Sequence, residues 1–290
     1  MNELAGRFAV ITGASQGLGE AIATHFVDAG ASVLLCARSR EKLEAVTNVL
    51  RERLQKGQML YTRVADVAQT ENMDALADNA FSMFPCVDIL VNNAGVYGPI
   101  GPLEENDWQE WLDAIAINLM GTVYTCRAFV PHFRKRKYGK IINLSGGGAT
   151  NPLPRISAYA ATKAAVVRFT ETLAEELRDA NVDVNAVAPG ALATQMMDQV
   201  IAAGESKVGA EFLARMTKIR EEGGTPLSKG AELCVYLASA ASDGITGKLI
   251  SAVWDPWREL GTRYRGDVER SDIYTLRRIV PADRGKDWGK

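Results

Sequence analysis

The sequence predicts an α/β fold, a doubly wound parallel sheet with helices on both faces. Short apolar runs alternate strictly with helical patterns, which is typical of strand–helix–strand crossovers. Runs such as Val87–Val91 are almost continuously apolar, as expected of strands that are buried on both sides. Because no linker or repeat divides residues 1–252, one domain accounts for them, and residues 253–290 form a C-terminal extension.

The individual elements are predicted from local patterns. Strands are apolar or β-branched runs bounded by turn residues, and we expect them at Phe8–Thr12, Ser32–Ala37, Gln58–Val64, Val87–Val91, Lys140–Leu144, Val182–Ala188 and Lys248–Ala252. Helices show apolar residues at helical spacing, as Leu43, Val46 and Leu50 do in the second one. We expect them at Gly17–Ala29, Arg40–Gln55, Thr70–Met83, Trp108–Arg136, Ser157–Asp179, Thr194–Ala203, Ala210–Arg220 and Lys229–Ala238.

Composition excludes several classes of protein. The 33 Lys and Arg residues stand against 35 Asp and Glu, a net charge of −2, which argues against a nucleic-acid binder. No apolar run reaches the roughly 18 residues of a membrane span, and the polar start Met1–Arg7 does not fit a signal peptide. The two histidines are expected on helix surfaces. Four scattered cysteines predict free buried thiols and a cytoplasmic protein: Cys36, Cys86, Cys126 and Cys234.

A glycine-rich turn follows the first strand and spans Thr12–Gly19 with the spacing G-x-x-x-G-x-G. Its glycines permit a tight turn and close approach of the backbone to a pyrophosphate. The helix that follows offers free N–H groups and the positive end of its dipole to such an anion. A glycine-rich turn alone is weak evidence, since many strands end in one, but its place in the first strand–helix unit favours a phosphate site.

The chain resembles the short-chain dehydrogenase/reductase family over about residues 5–252. The resemblance rests on T-G-x-x-x-G-x-G at Thr12–Gly19, N-N-A-G at Asn92–Gly95 and Y-x-x-x-K at Tyr159–Lys163, and on Asn118, Ser145, Pro189, Gly190 and Thr194. It implies a single Rossmann domain with a seven-stranded parallel sheet. It also implies a nicotinamide dinucleotide and reversible carbonyl–alcohol chemistry.

The resemblance carries a set of cofactor-binding positions. These are Gly13, Ser15, Gln16, Gly17, Leu18, Gly19, Arg38, Asp66, Val67, Asn93, Ala94, Gly95, Tyr159, Lys163, Pro189, Gly190 and Thr194. Ala37 lies where NAD-type relatives carry Asp, and Arg38 follows it. Because an arginine pairs with a 2′-phosphate whereas a carboxylate repels it, we expect NADP(H) rather than NAD(H), with Ser39 or Arg40 assisting. The alternative is that Arg38 is a solvated residue at the start of a helix.

Tyr159 and Lys163 lie four residues apart on a predicted helix and therefore share one face. A free phenol has a pKa of about 10, and a nearby ammonium, with the cation of an oxidised nicotinamide, is expected to lower the pKa of Tyr159. The resemblance implies that Tyr159 exchanges the proton of the substrate oxygen and that Lys163 also binds the nicotinamide ribose. It implies that Ser145 holds the substrate oxygen, and that the Asn118 side chain holds a water in a proton relay.

The serine departs from the family pattern. Most relatives carry it thirteen residues before the tyrosine, whereas Ser145 lies fourteen before Tyr159 and Gly146 occupies the usual position. Either the following loop holds one extra residue or the serine role is partly lost, and Thr150 and Ser157 are weaker substitutes. We predict Ser145.

Substrate loops are expected at the carboxyl ends of the strands, at 96–102, 146–157 and 191–209. They contain Tyr97, Arg155, Gln195 and Met196, a mixed lining that fits a polar or medium-sized carbonyl compound. The extension is expected to fold back at Trp254 and Trp257 and bury both rings. It would act as a lid or an oligomer arm, bringing Arg277 or Arg278 towards an anionic substrate, or it is a loosely attached tail.

The sequence therefore favours an NADP(H)-dependent oxidoreductase that interconverts a ketone and a secondary alcohol. A 3-oxoacyl thioester reductase and a non-catalytic NADP(H)-binding sensor on the same fold are the alternatives, because fold alone does not decide activity. The helices at 108–136 and 157–179 carry apolar residues on more than one face, which predicts a homodimer or homotetramer. The expected partner is a small molecule, with no metal, nucleic acid or membrane.

Overall fold

The computed structural model describes residues 2–288, in which seven strands form one parallel sheet. The strands are β1 Phe8–Thr12, β2 Ser32–Ala37, β3 Leu60–Val64, β4 Ile89–Asn92, β5 Gly139–Leu144, β6 Val182–Ala188 and β7 Leu249–Ser251. The helices are α1 Gly17–Asp28, α2 Arg40–Arg51, α3 Thr70–Met83, α4 Trp108–Ile115, α5 Gly121–Arg136, α6 Ser157–Leu177, α7 Gln195–Val208, α8 Ala210–Glu221, α9 Leu227–Ala238 and α10 Arg265–Glu269. The α/β fold and its parallel sheet are thus confirmed.

The strand order is β3-β2-β1-β4-β5-β6-β7. The strands before β4 are added on one side of β1 and the later ones on the other, so the order of addition reverses between β1 and β4 while all strands stay parallel. Every residue of β2, β4 and β5 is buried, because helices cover both faces of the sheet. In such sheets ligands bind outside the carboxyl ends of the strands at the point of reversal. The fold therefore places a crevice beyond Thr12 and Asn92.

Two apolar layers hold the helices to the sheet. On one face α1 and α9 pack on the sheet through residues such as Phe26 and Leu237. On the other face α3, α5 and α6 pack through residues such as Leu76, Phe129 and Leu177. Burial of each such side chain contributes about 1.5–3 kcal/mol to stability. The helices that carry site residues are therefore firmly placed.

The predicted long helix is interrupted. Between α4 and α5, the segment Ala116–Met120 forms a π-helical turn, and its central residue Asn118 is completely buried. π turns insert one extra residue into a helix and are frequent at functional sites. Helical periodicity predicted a continuous helix because the flanking apolar residues keep their spacing.

Several further boundaries differ from prediction; for example, α2 ends at Arg51 rather than Gln55 and β4 begins at Ile89 rather than Val87. The third strand begins at Leu60 rather than Gln58, because the Gln58 side chain donates hydrogen bonds to the carbonyl oxygens of Val27 and Ala31 and so is tied to the turn between α1 and β2. Helix α7 extends beyond Ala203 and contains a break at Gly204, whose φ is 78°. Glycine adopts this left-handed conformation without strain.

The extension packs first along α9. Trp257 is only 5 % exposed and its ring lies 5.5 Å from that of Tyr236. Gly261 approaches the backbone so closely that a Cβ there would lie 1.9 Å from the carbonyl oxygen of Ala241. Trp254, by contrast, is 84 % exposed, so the prediction that both tryptophan rings are buried is wrong for Trp254. The chain turns at Asp255, whose side chain already accepts a hydrogen bond from the Ser251 N–H, and only the second ring reaches α9.

The extension then returns along the outer edge of β7. The Leu249 N–H donates a 2.8 Å hydrogen bond to the Tyr274 carbonyl oxygen, and the buried Lys248 ammonium donates to the carbonyl oxygens of Ser271 and Ile273 at 2.7 and 3.1 Å. The Leu276 N–H donates to a carboxylate oxygen of Glu171 on α6. An uncovered sheet edge presents unpaired backbone groups, and here residues 271–276 cover that edge.

The structure also bears on the expectations drawn from composition. Cys36, Cys126 and Cys234 are buried free thiols as predicted, whereas Cys86 is a free thiol that is partly exposed, so the prediction of burial is wrong for Cys86. Over residues 2–288 we find no helix with the length and apolar character to cross a membrane, and no cluster of His, Cys, Asp and Glu suited to a metal. His132 is not on a helix surface as predicted, since its ring stacks on Phe81 at 4.6 Å.

Candidate active site

A cleft of about 540 Å³ lies at the carboxyl ends of β1 to β6. Its lining includes most of the residues predicted from the sequence: Gly13, Ser15, Gln16, Gly17, Leu18, Gly19, Arg38, Val67, Asn93, Ala94, Gly95, Ser145, Tyr159, Lys163, Pro189 and Thr194. These residues are far apart in sequence and meet because they follow parallel strands, which end at one edge of the sheet. The glycine-rich turn and the tyrosine–lysine pair therefore share one cavity.

Three predicted residues lie behind the lining. The Asp66 side chain accepts a hydrogen bond from the Ala68 N–H and forms an ion pair with Arg38. At Gly190 an added Cβ would lie 2.7 Å from the Thr225 hydroxyl and 2.8 Å from the Val253 side chain, so this glycine permits a close approach of neighbouring segments. Asn118 is fully buried. These three support the cleft and do not form its surface.

Several lining residues were not anticipated from the sequence. They are Lys42, Ala65, Ile117, Leu144 and Leu227. Only Lys42 left a usable signal, because it lies three residues after Ser39, in the first turn of the helix that begins at the predicted phosphate-binding end of β2. In the sequence alone, the four apolar residues cannot be told from ordinary core residues, because only the fold shows that they border the cleft.

Close backbone packing holds the glycine-rich turn against the end of β4. Gly13 has a φ of 64°, and a Cβ there would lie 2.7 Å from the Cα of Ala94. The Asn93 side-chain amide donates to the carbonyl oxygens of Thr12 and Gly13 at 3.2 and 3.0 Å. Helix α1 then begins at Gly17 without a side-chain cap, so the N–H groups of its first turn are left for a ligand.

Positive charge gathers at the end of β2. Arg38 is exposed, and its guanidinium lies 4.0 Å from a carboxylate oxygen of Asp66. Ser39 caps α2 by accepting a hydrogen bond from the Lys42 N–H at 3.3 Å. The Lys42 ammonium donates a 2.6 Å hydrogen bond to the Gln16 side chain. Two cations, a hydroxyl and a helix N-terminus thus face the same end of the cleft, a set of groups suited to an anion.

Tyr159 and Lys163 lie one turn apart on α6, with the ammonium 5.6 Å from the centre of the phenol ring. The Lys163 ammonium donates a 2.7 Å hydrogen bond to the Leu144 carbonyl oxygen. Burial lowers the pKa of Lys163 to about 8. Burial, with a smaller contribution from Tyr97, raises the pKa of the Tyr159 phenol. The lowered tyrosine pKa that we expected is therefore not a property of the protein alone, because desolvation outweighs the ammonium at this distance.

Ser145 and Gly146 follow β5 beside this pair. The Ser145 hydroxyl donates a long hydrogen bond of 3.4 Å to the Lys163 carbonyl oxygen. Gly146 faces the phenol, since a Cβ at Gly146 would lie 2.4 Å from the Tyr159 oxygen. The serine lines the cleft, but its hydroxyl is turned towards α6 and the glycine is the residue opposite the tyrosine hydroxyl.

Asn118 connects the loop after β4 to α6. Its side-chain oxygen accepts the Val96 N–H, and its amide donates to the Val96 carbonyl oxygen, both at 2.8 Å, and to the Thr162 hydroxyl at 3.0 Å. A Cβ on Gly95 would lie 3.3 Å from the side-chain oxygen of Asn118 and 3.5 Å from the Lys163 ammonium. Both groups therefore lie on the same side of Gly95.

The sequence of this chain is similar to those of known dehydrogenases over most of its length. A family model described as short chain dehydrogenase matches residues 7–204. The chain is 37 % identical over 247 residues to 3beta-hydroxysteroid dehydrogenase 1 of Eggerthella lenta, covering 85 % of this chain and 92 % of the relative. It is 35 % identical over 239 residues to L-fucose dehydrogenase of Oryctolagus cuniculus, covering 82 % and 81 % of the two chains.

Two solved structures are similar to this one. Gluconate 5-dehydrogenase from Burkholderia cenocepacia J2315, in complex with NADP and tartrate, superposes with a TM-score of 0.74 at 29 % identity, over 86 % of this chain and 94 % of the other. NAD+-bound xylitol dehydrogenase superposes with a TM-score of 0.78 at 25 % identity, over 86 % and 98 %. Similar proteins thus include complexes with either nicotinamide dinucleotide.

Proposed function

The chain belongs to the short-chain dehydrogenase/reductase family, and from this premise we propose that it is an NADP(H)-dependent oxidoreductase that interconverts a ketone and a secondary alcohol. One observation carries the proposal. Tyr159 and Lys163 open into the same cleft as the uncapped N-terminus of α1, so a proton-carrying hydroxyl and an anion-binding turn share one cavity. This pairing suits hydride transfer with a dinucleotide whose pyrophosphate rests on the turn.

The chemistry of the cleft fits the dinucleotide. The first turn of α1 would hold the pyrophosphate, and Lys163 would hold the nicotinamide ribose. When bound, the nicotinamide supplies or accepts the hydride. Arg38, Ser39 and Lys42 gather two cations and a hydroxyl where a 2′-phosphate would lie, and Ala37 places no carboxylate there, which supports NADP(H) over NAD(H).

Tyr159 would carry the proton of the reaction. Its raised pKa keeps the phenol protonated at neutral pH, so it would donate a proton to the substrate oxygen during reduction. Lys163 would be the nearby positive charge that stabilises the resulting phenolate, and its own pKa of about 8 leaves it mostly protonated at neutral pH. Asn118, on the same side of Gly95, would continue the relay from Lys163. Ser145 would reach the substrate oxygen once its weak bond to α6 is released.

The cations on and beside the expected substrate loops bear on the choice of substrate, although they do not line the cleft. Lys207 is paired with Glu105 at 3.1 Å, and Arg220 with Asp198 at 2.9 Å. Arg155 donates to the backbone oxygens of Ser206 and Lys207. These cations already have partners, which favours an uncharged ketone or alcohol over a 3-oxoacyl thioester on an acidic carrier.

The test is NADPH oxidation against a panel of simple cyclic ketones, keto-sugars, 3-oxosteroids and 3-oxoacyl thioesters. We expect turnover of at least one uncharged ketone, with the reverse reaction from the corresponding alcohol and NADP+. Tight NADPH binding without turnover of any member would favour the sensor, and preference for the thioesters would favour the acyl reductase.

A further inference from the structure

A small apolar cluster lies behind the loop that follows β5. Its buried members are Ala149, Val167 and Ala186, each at most 7 % exposed, and Leu249 and Leu276 pack against them. Ala149 belongs to the loop itself, whereas Val167, Ala186 and Leu249 belong to α6, β6 and β7. The fifth residue, Leu276, comes from the C-terminal extension. The extension therefore contributes a side chain to the packing that supports this loop.

The loop is part of the candidate active site. It connects Ser145, which lines the cleft, to the helix that carries Tyr159. It begins with a tight turn, in which the Ala149 N–H donates a 3.0 Å hydrogen bond to the Gly146 carbonyl oxygen. Because Ala149 is tied in this way to the residue after Ser145, a shift of Ala149 would displace the segment that carries the serine hydroxyl.

The turn is held between α6 and the cluster. A Cβ at Gly148 would lie 3.0 Å from the Cα of Ala160, the neighbour of Tyr159, so the turn lies close against the helix backbone. The next residue, Ala149, packs into the cluster. A smaller side chain at position 276 would leave a cavity there, and surrounding groups relax partly into such a cavity. Ala149 would then be free to move away from the catalytic helix.

Polar contacts to α6 fix the place of Leu276. Its N–H donates a 2.5 Å hydrogen bond to a carboxylate oxygen of Glu171, which is only 8 % exposed. Its carbonyl oxygen accepts a hydrogen bond from the Arg168 guanidinium, and Arg168 also pairs with Glu171 at 2.5 Å. Because both backbone groups of Leu276 are bound to one turn of α6, its side chain enters the cluster in a defined position.

From this packing we infer that Leu276 is a positioning residue for the reaction: through Ala149 it supports the loop after β5 and so holds Ser145 in place beside Tyr159. The catalytic meaning of the inference rests on the proposed function, while the packing is independent of it. A small misplacement of a reacting group, caused by a mutation far from the chemistry, can cost about 10²-fold in rate. For the partial shift that one cavity allows, we expect Leu276→Ala to lower kcat by about tenfold.

The test compares Leu276→Ala with Leu260→Ala, a matched control in the same extension. Leu260 is 1 % exposed and packs in the main core, whereas Leu276 is only partly buried. Leu260→Ala should therefore lower the Tm at least as much but leave kcat unchanged at a temperature where both variants are folded. Leu276→Met keeps most of the volume and should retain kcat within about twofold. The NADPH Kd should stay within about twofold in all three variants, because the glycine-rich turn lies outside the cluster.

Hydrogen–deuterium exchange gives a second readout that requires no substrate. Leu276→Ala should speed the exchange of the backbone amides at 146–151, because a less supported turn opens more often. Leu260→Ala should not change exchange in this segment. If either alanine variant does not fold, Leu276→Val and Val268→Ala, which remove less volume, take their places in the same comparison.

A double-mutant cycle shows whether the effect passes through the serine. In a Ser145→Ala background most of the kcat loss caused by Leu276→Ala should disappear. Persistence of the full loss in that background, an unchanged kcat of Leu276→Ala, an equal loss in Leu260→Ala, or unchanged exchange at 146–151 would each overturn the inference. Full turnover by Tyr159→Phe would instead overturn the proposed function and leave the exchange result intact, so the two failures are distinguishable.

Discussion

The Lys42 ammonium donates a 2.6 Å hydrogen bond to the side-chain oxygen of Gln16, which ties the first turn of α2 to the glycine-rich turn. Neither residue is buried, so the bond contributes little to stability. The bond matters for position, because it holds the Lys42 ammonium between the first turn of α1, where we propose that a pyrophosphate binds, and the end of β2. The charge is thereby arranged before any ligand binds, which reduces the entropy that binding would cost.

This arrangement makes cofactor preference testable. Arg38→Ala should weaken NADPH binding relative to NADH by about tenfold or more, because a charge-assisted bond contributes about 1.5–3 kcal/mol. Lys42→Ala should weaken NADPH binding less than Arg38→Ala does, because the Lys42 ammonium is also bonded to the Gln16 side chain. Both Kd values are measured by fluorescence titration.

Arg40→Ala is the matched control for cofactor preference. The sequence offered Ser39 or Arg40 as the assisting residue, but Arg40 lies 4.0 Å from Glu44 and does not line the cleft, so this substitution should leave the NADPH-to-NADH ratio unchanged. Ala37→Asp with Arg38→Ile should reverse the preference. Equal affinities of the unmutated protein for the two dinucleotides would refute the NADP(H) assignment.

Removal of the proposed proton donor is the second prediction. Tyr159→Phe keeps the ring and its packing on Tyr97, so NADPH binding should persist while turnover falls about 10²–10⁴-fold, the contribution typical of general acid–base catalysis. The measurement is kcat on any substrate found by the panel. Tyr138→Phe removes a phenol hydroxyl outside the cleft and should leave kcat unchanged.

Burial of Lys163 predicts a dependence of stability on pH. Its pKa falls from 10.5 to about 8 on folding, so between these values the unfolded chain binds more protons than the folded one. Stability from this group is therefore fully present above pH 10.5, decreases as the pH falls towards 8, and is constant below. The Tm of the unmutated protein minus that of Lys163→Met should thus rise between pH 8 and 10.5. A difference that is flat across this range would show that the ammonium is not desolvated.

Sequence patterns were sufficient for the sheet and for most of the cleft. The runs at Phe8–Thr12 and Ser32–Ala37 match β1 and β2 at both ends, because apolar strands flanked by turn residues leave few alternatives. Because parallel strands end at the same edge of the sheet, the segments that follow them lie side by side. Gly13, after β1, and Tyr159, on the helix after β5, therefore line the same cavity.

Other features depend on contacts that have no local signature. The π turn at Asn118 arises because its amide bonds to Val96 and Thr162, residues distant in sequence. The raised pKa of Tyr159 follows from burial, which residue spacing does not report. The hydrogen bond from Lys42 to Gln16 likewise forms only because the fold places α2 and the glycine-rich turn side by side.

Assembly gives a fourth prediction. On α4 Trp108 is 63 % and Leu112 40 % exposed, and the Trp108 ring stacks on that of Trp111. Large apolar side chains clustered at the surface commonly mark an interface. We therefore expect a homodimer or homotetramer by light scattering at micromolar concentration. Leu112→Glu should shift it towards smaller species, and Glu110→Gln, an exposed change on the same helix, should not. A monomeric unmutated protein would refute this prediction.

The extension gives the last prediction, because its two parts are held differently. Up to Leu276 the extension packs on α9, α6 and the edge of β7, and Trp257, Leu260 and Val268 are all buried in the main core. From Arg277 to Trp288 the chain is largely exposed, Arg277 is paired with Asp283 of the same segment, and Ile279 is 61 % exposed. Deletion of residues 279–290 should therefore leave the Tm within about 2 °C of the full chain.

Deletion of residues 261–290 should be strongly destabilising. It removes Val268 from the core and uncovers the β7 edge, where the Leu249 N–H and the Lys248 ammonium would exchange their protein partners for water, and each hydrogen bond lost costs about 0.5–1.5 kcal/mol. We expect a Tm lower by several degrees and faster aggregation, because the exposed strand edge would be available for pairing between molecules. The NADPH Kd and the substrate KM, measured on whatever fraction remains folded, separate a purely structural role of the extension from the lid predicted from the sequence. An unchanged Kd and KM would indicate a structural brace, whereas a raised KM in the shorter deletion would indicate a lid over the substrate.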